Sequence, residues 1–161
     1  MTKLSEHFSL EEMCKTKVNL ENVPYEAQVE NLKRLCGWLE MLRSEYNRRY
    51  GGLSPDPSLS REGSRDQEEP IIINSGYRSA AVNKAVGGVK GSNHLTGCAA
   101  DIRVAGIEQL VRYATILLDI SDDSQEDFDE LLLERSPRGG YWLHFAVRPS
   151  GNRRKVRLIQ T

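Results

Sequence analysis

The sequence predicts an α+β fold in which helices pack on one side of a mainly antiparallel sheet. A long stretch near the N-terminus has apolar residues three and four positions apart, the spacing of one helix face. Later apolar stretches are short, and two of them flank a glycine- and proline-containing turn, as in a hairpin. With 161 residues, the chain is expected to form a single domain, residues 1–161, with an ordinary hydrophobic core.

The first fifty residues are predicted to form two helices. Ser9 is a candidate N-cap of a short helix, and Glu12 three positions later would complete a capping box. A longer helix is predicted from Pro24 to about Tyr50, because proline is tolerated in a first turn and two glycines follow. Its buried face is predicted to consist of Val29, Leu32, Leu35, Cys36, Leu39 and Leu42.

Residues 51–69 interrupt this pattern with proline, glycine, serine and charged residues. Such a segment buries too little apolar surface to offset the entropy lost on ordering, so a flexible surface insertion is expected. A lid or partner-binding loop near a cleft is the alternative. The elements predicted after it are a strand at 71–73, a helix at 79–86, a strand at 98–104, a helix at 107–118, an acidic linker at 122–127, and a hairpin of strands 128–134 and 141–147.

Composition and charge exclude several classes of function. A net charge of -1 argues against a nucleic-acid-binding surface built on bulk charge. No apolar run approaches the roughly 20 residues of a membrane span, and the polar N-terminus does not resemble a signal peptide. An odd number of scattered cysteines fits a reduced compartment, so we expect synthesis in the cytoplasm, with Cys98 as a small buried thiol.

Three residues stand out as candidate metal ligands. His94 and Asp101 lie seven positions apart in SNHLTGCAAD, and His144 lies in the predicted strand YWLHFAV. Imidazole nitrogen and carboxylate oxygen are common zinc donors, and three protein ligands leave a fourth position open for water, as in catalytic zinc sites. Asp101 and His144 would meet if their two strands were adjacent and antiparallel. Ordinary buried histidines and a turn-capping aspartate are the alternative for each residue taken alone.

The motif Ser92-x-His94-x-x-Gly97-x-Ala99-x-Asp101, followed by Trp142-x-His144, resembles the zinc D-alanyl-D-alanine carboxypeptidases. That family is related to D-alanyl-D-alanine dipeptidases, phage L-alanyl-D-glutamate endolysins and the hedgehog signalling domain. The similarity extends to SGYRS at 75–79, to AVGGVKGS before His94 and, more weakly, to FSLEEM at the N-terminus.

The resemblance implies the family's α+β fold, one Zn²⁺ per chain and hydrolysis of peptide bonds in peptidoglycan stem peptides, by a D,D-carboxypeptidase or an endolysin-like endopeptidase. It implies that Arg78 contacts substrate and stabilises the developing oxyanion, a role suited to a forked, permanently charged guanidinium. A monomer is expected. Without a signal peptide, such an enzyme would reach the cell wall through lysis, a holin or another export route.

The general base is the point at which the chain departs from the family. Many relatives carry an acidic residue three positions before the second histidine, where this chain has Tyr141. Glu134 is the predicted replacement, because its side chain would share the His144 face if Glu134 lay opposite Trp142. Glu130, further along the same face, is the second candidate.

Two further residues are candidates for contacting substrate. Ser92 either binds substrate or orients the loop before His94, and Trp142 either walls the cleft or belongs to the core. The missing acidic residue before His144 keeps a second function class open, a catalytically inactive, zinc-stabilised module that binds cell wall or protein.

Overall fold

A computed structural model describes residues 1–51 and 68–161. The insertion predicted at 51–69 lies almost entirely outside the described residues. The described chain contains four α-helices and five strands, and their bounds agree with the predicted elements to within a few residues in most cases. The helices are α1 (Leu10–Met13), α2 (Glu26–Tyr50), α3 (Ala80–Ala85) and α4 (Ile107–Ser124). The strands are β1 (Ile73–Ser75), β2 (Ala99–Arg103), β3 (Glu130–Arg135), β4 (Tyr141–Ala146) and β5 (Lys155–Gln160).

The strands form one mixed, mostly antiparallel sheet in the order β1-β2-β4-β3-β5. The α+β prediction is therefore confirmed. Strand β4 is central, antiparallel to β2 on one side and to β3 on the other. Strand β5 runs parallel to β3 at the edge and was not predicted. Val156 and Leu158 alternate with Lys155 and Arg157, but the pattern is short and the side chains are largely exposed.

The two faces of the sheet have opposite character because side chains alternate along each strand. One face carries Ala100 and Ile102 of β2 together with Leu143 and Phe145 of β4, all fully buried. Helix α2 packs over this face, and the rings of Trp38 and Phe145 lie 5.5 Å apart. The opposite face carries polar side chains and forms the floor of an open cleft.

Helix α2 buries the predicted apolar face almost in full. Leu32, Leu35, Cys36, Leu39 and Leu42 are each fully buried, whereas Val29 in the first turn is only half-buried. A leucine or isoleucine side chain moved from water to the core contributes roughly 2 kcal/mol, so this face anchors the helix layer on the sheet.

Helix α4 extends six residues beyond its predicted end, from 118 to Ser124. The predicted linker 122–127 is therefore helical in its first part. Acidic residues in a last helical turn oppose the helix dipole, but Arg154 donates to Asp122 at 2.7 Å and to the Ser121 hydroxyl at 2.6 Å. Gln125 then ends the helix in the left-handed conformation, with φ 58°.

No helix within residues 1–51 and 68–161 is long and apolar enough to cross a membrane.

Candidate metal centre and cleft

His94 lies in a tight 3₁₀ turn, Asn93–Thr96, that is pressed against α2. The Ser92 hydroxyl caps the turn by accepting a hydrogen bond from the His94 amide at 3.2 Å. Gly97 closes the turn at φ 75°, and a Cβ there would lie 2.6 Å from the Gln28 carbonyl oxygen. Only glycine combines that conformation with so close an approach. The short spacing between His94 and Asp101 thus places the histidine against the start of β2.

The ring of His94 is held by the chain segment that leaves β1. Its Nδ1 lies 2.6 Å from the carbonyl oxygen of Gly76, which can only accept a hydrogen bond. The Nδ1 atom therefore donates to this carbonyl, and Nε2 faces Asp101, whose Oδ1 lies 3.4 Å away. His94 is 2 % exposed, so neither nitrogen competes with bulk water for this arrangement.

The strand register brings the other two candidate ligands together. Asp101 of β2 lies directly opposite His144 of β4, as the sequence predicted for adjacent antiparallel strands. The Asp101 Oδ1 atom is 3.1 Å from His144 Nδ1. One ligand atom from each of His94, Asp101 and His144 lies within 4.8 Å of the others, the one such group found within the described residues.

These donors fit a zinc ion in both type and spacing. Two ligand atoms at about 2.1 Å from a tetrahedral zinc lie roughly 3.4 Å apart, close to the 3.4 and 3.1 Å separations from Asp101 Oδ1. Two imidazoles and one carboxylate form a donor set that zinc accepts readily. The site also opens into the cleft, which leaves room for a substrate.

The charges of the metal-free site are strongly coupled. Burial opposes ionisation of Asp101, but hydrogen bonds with His144 and His94 outweigh it and hold the pKa of that carboxyl well below its usual range. Burial alone would lower the pKa of His144, yet hydrogen bonds with Asp101 and Glu130 raise it to about 9. This pKa favours protonated His144 at neutral pH, so a metal ion would have to displace a proton to bind there.

Arg78 supports Asp101 from the side opposite the histidines. Its Nη2 donates to Asp101 Oδ2 at 3.1 Å, and its Nε donates to the Ser75 hydroxyl at 3.0 Å. A weaker contact joins Nη1 to Asn83 Oδ1 at 3.4 Å. The guanidinium thus orients a candidate ligand, a role that the sequence did not predict. Its predicted contact with substrate and its oxyanion role remain predictions, and it does line the cleft.

Glu134 lies on the cleft face in the register that the sequence required. It pairs with Trp142 across β3 and β4, one step along the same face from His144. Its pKa is raised, because partial burial removes the carboxyl from water and the Asp101 charge lies nearby. Glu134 and Trp142 both line the cleft. Trp142 is half-buried, so it walls the cleft rather than filling the core.

Glu130, the second candidate base, has a different environment. Its Oε1 lies 3.1 Å from His144 Nε2 and accepts a hydrogen bond from Asn93 Nδ2 at 2.6 Å. The bond with His144 holds the pKa of Glu130 at about 2, although burial opposes this. The surroundings of these two carboxylates on β3 therefore shift their pKa values in opposite directions. Glu130 stays ionised in its hydrogen bond with the His144 imidazole, whereas Glu134 is the weaker acid and the better proton acceptor.

The sequence did not indicate the residues that surround the candidate ligands and the two candidate bases. The cleft has a volume of about 740 Å³, and the end near β5 is basic, with Arg148, Arg153 and Lys155 in its lining. Asn93 and Asp129 join two of these arginines to the metal site through hydrogen bonds. Asn93 had only its position beside His94 as a sequence signal, and Asp129 only its position beside Glu130. Cys98 is a buried free thiol, as expected.

Comparison with known proteins gives one family match. The model of the family described as Peptidase M15 matches residues 62–118. This range includes Arg78, Ser92, His94 and Asp101, whereas Glu134 and His144 lie outside it. Peptidases of this family depend on a metal. No curated protein matches the chain.

Proposed function

We propose that this chain, whose residues 62–118 match the model of the Peptidase M15 family, is a zinc peptidase that hydrolyses peptide bonds in peptidoglycan stem peptides, as a D,D-carboxypeptidase or an endopeptidase. His94, Asp101 and His144 would hold one zinc ion. The observation that carries the proposal is the convergence of their three donor atoms, within 4.8 Å of one another, on the floor of an open cleft. A structural zinc site would be closed by a fourth protein ligand, and the described residues offer only three.

A zinc ion bound by these residues would polarise the scissile carbonyl and make water available as a nucleophile at neutral pH. Glu134 then accepts the proton of the attacking water and delivers it to the nitrogen of the leaving amine. One water molecule is consumed, its oxygen ending on the carbonyl carbon and a proton on the amine. The raised pKa of Glu134 and its place on the cleft face beside Trp142 support this assignment.

The charges lining the cleft support an acidic peptide as substrate. Stem peptides carry free carboxylates, and Lys155 lines the cleft at the end near β5 without an ion-pair partner among the described residues. Arg78, at the other end, carries the second positive charge suited to a carboxylate or a developing oxyanion. Trp142 offers an apolar wall for a substrate side chain, and Ser92 lies in the lining near His94.

The test is cleavage of stem peptides, identified by product mass, with and without a chelator. Shortened products that disappear with chelator and return with zinc are expected. Glu134→Gln should retain about one zinc per chain and lose cleavage by ~10²-fold or more, because glutamine cannot take up the proton. Glu26→Gln, an exposed carboxylate in the first turn of α2, is the matched control and should cleave at the wild-type rate.

Two outcomes would change the assignment. Zinc-loaded wild type that cleaves no stem peptide would favour the inactive binding module, which Tyr141 in place of the usual acidic residue already suggests. An unchanged rate in Glu134→Gln would remove that residue from the mechanism. Replacing any one of His94, Asp101 or His144 by alanine should abolish stoichiometric zinc, and equal zinc content in all three variants would refute the metal site.

A further inference from the structure

A polar cluster adjoins the basic end of the cleft, centred on Asp129 immediately before β3. This carboxylate is fully buried, and its Oδ2 accepts hydrogen bonds from Asn93 Nδ2 and Arg153 Nη2, both at 2.8 Å. Arg148 Nε lies 3.2 Å from the same oxygen. Two arginines therefore compensate one buried carboxylate, and the remaining positive charge faces the neighbouring Glu130. Such a satisfied network is rigid, because breaking any one bond leaves a buried charge short of partners.

Asn93 connects this cluster to the metal site. Its Nδ2 donates to Asp129 Oδ2 and to Glu130 Oε1, at 2.8 and 2.6 Å, while its Oδ1 accepts from Arg148 Nε at 2.9 Å. The amide cannot be reversed, since its nitrogen must face carboxylates and its oxygen must face a guanidinium. Asn93 is 5 % exposed. Its orientation is thus determined by the cluster, and the position of the Glu130 carboxylate follows from it.

Glu130 in turn contacts the far side of the His144 ring. The Glu130 Oε1 atom lies 3.1 Å from Nε2, while the opposite ring nitrogen, Nδ1, is the one that faces Asp101 Oδ1 at 3.1 Å. A neutral imidazole carries its proton on one nitrogen and a lone pair on the other. An acceptor at Nε2 therefore keeps the proton there and directs the Nδ1 lone pair into the metal site. The Gly76 carbonyl makes the equivalent contact with His94 Nδ1.

We propose that Glu130 is a positioning residue that selects the metal-binding tautomer and ring orientation of His144, and that Asn93 anchors Glu130 to the buried Asp129 cluster. This role rests on the metal site of the proposed function and is independent of peptide cleavage. A hydrogen-bond acceptor behind a histidine ligand, whether a carboxylate or a carbonyl oxygen, fixes the tautomer and orientation of the ring, and loss of the acceptor typically costs 10–100-fold in metal affinity.

The test is zinc affinity measured by chelator competition in three variants. Glu130→Leu removes the acceptor at similar size and should weaken zinc binding by about 10–100-fold. Glu130→Gln keeps an Oε1 acceptor for both His144 Nε2 and Asn93 Nδ2, so it should bind zinc within about threefold of the wild type. Glu26→Leu is the control, because it removes an exposed carboxylate that does not line the cleft, and it should bind zinc as the wild type does.

Wild-type affinity in Glu130→Leu would overturn the positioning role, and so would equal losses in Glu130→Leu and Glu130→Gln, because charge rather than the acceptor would then matter. A measurement on the zinc-loaded wild type does not depend on the folding of any variant. Nitrogen–proton correlation spectra of the histidine rings should show His144 protonated at Nε2, and a proton at Nδ1 would also overturn the role. Zinc binding with this pattern but without cleavage of stem peptides would refute the proposed function alone.

Discussion

Raising the pH from 6 to 8 should destabilise the metal-free protein by about 2 kcal/mol through the titration of His144. Its pKa is raised from 6.5 to about 9, because hydrogen bonds with Asp101 and Glu130 outweigh the effect of burial. The folded state therefore holds the proton more tightly than the unfolded chain, and the stabilisation is complete below pH ~6.5 and is lost as pH rises through about 9. The full gap corresponds to about 3.5 kcal/mol at ~1.4 kcal/mol per pK unit, and about half of it, roughly 2 kcal/mol, is lost between pH 6 and 8.

The assay is urea unfolding of chelator-treated protein at several pH values up to 8. The upper limit matters because burial raises the pKa of Cys14 to about 11 and that of Cys36 to about 12. Thiols of the unfolded chain ionise from about pH 8.5, which would add a second loss of stability. The slope should be much smaller in His144→Gln. In zinc-loaded wild type, stability should instead rise with pH, since zinc and protons compete for the same nitrogens. A flat profile in the metal-free wild type would refute the strong coupling of His144 to its two carboxylates.

Two substitutions test the supports of the metal ligands. Gly76→Ala should destabilise the protein by about 1–3 kcal/mol in urea unfolding, because its Cβ would lie 2.3 Å from the Met13 carbonyl oxygen. The exposed helical Gly37 has no atom within 4 Å of such a Cβ, so Gly37→Ala should stabilise by about 0.5–1 kcal/mol, and equal effects of the two changes would contradict the packing at Gly76. Arg78→Lys keeps the charge but loses the guanidinium that bridges Asp101 and the Ser75 hydroxyl, so zinc affinity should fall about tenfold in chelator competition. Unchanged affinity would show that Asp101 is oriented without this bridge.

The sequence alone determined the helices and strands that are specified by the spacing of residues close together in the chain. The apolar spacing of 24–50 predicted α2 and its buried face, because a helix face repeats every three to four residues whatever packs against it. The alternation of 98–104 and 141–147 likewise predicted two strands and the face that each residue occupies. A short turn joins β3 and β4, and the pairing of Glu134 with Trp142, which the sequence offered as a hypothesis, is the register that the structure has. The spacing of His94 and Asp101 likewise pointed to candidate ligands, and the motif around them carries the resemblance to the zinc peptidases.

Only the tertiary structure decided what depends on partners distant in the chain. Strand β5 is held by its hydrogen bonds to β3, and its alternation of Val156 and Leu158 covers too few residues to predict it alone. The contact between Asn93 and Asp129 joins residues 36 positions apart, and neither residue type by itself indicates a role. The same is true of Glu130, which the sequence ranked as a second base. Alternation specifies the face of a side chain but not the atom that it meets there, and the chemistry of a carboxylate depends on that atom.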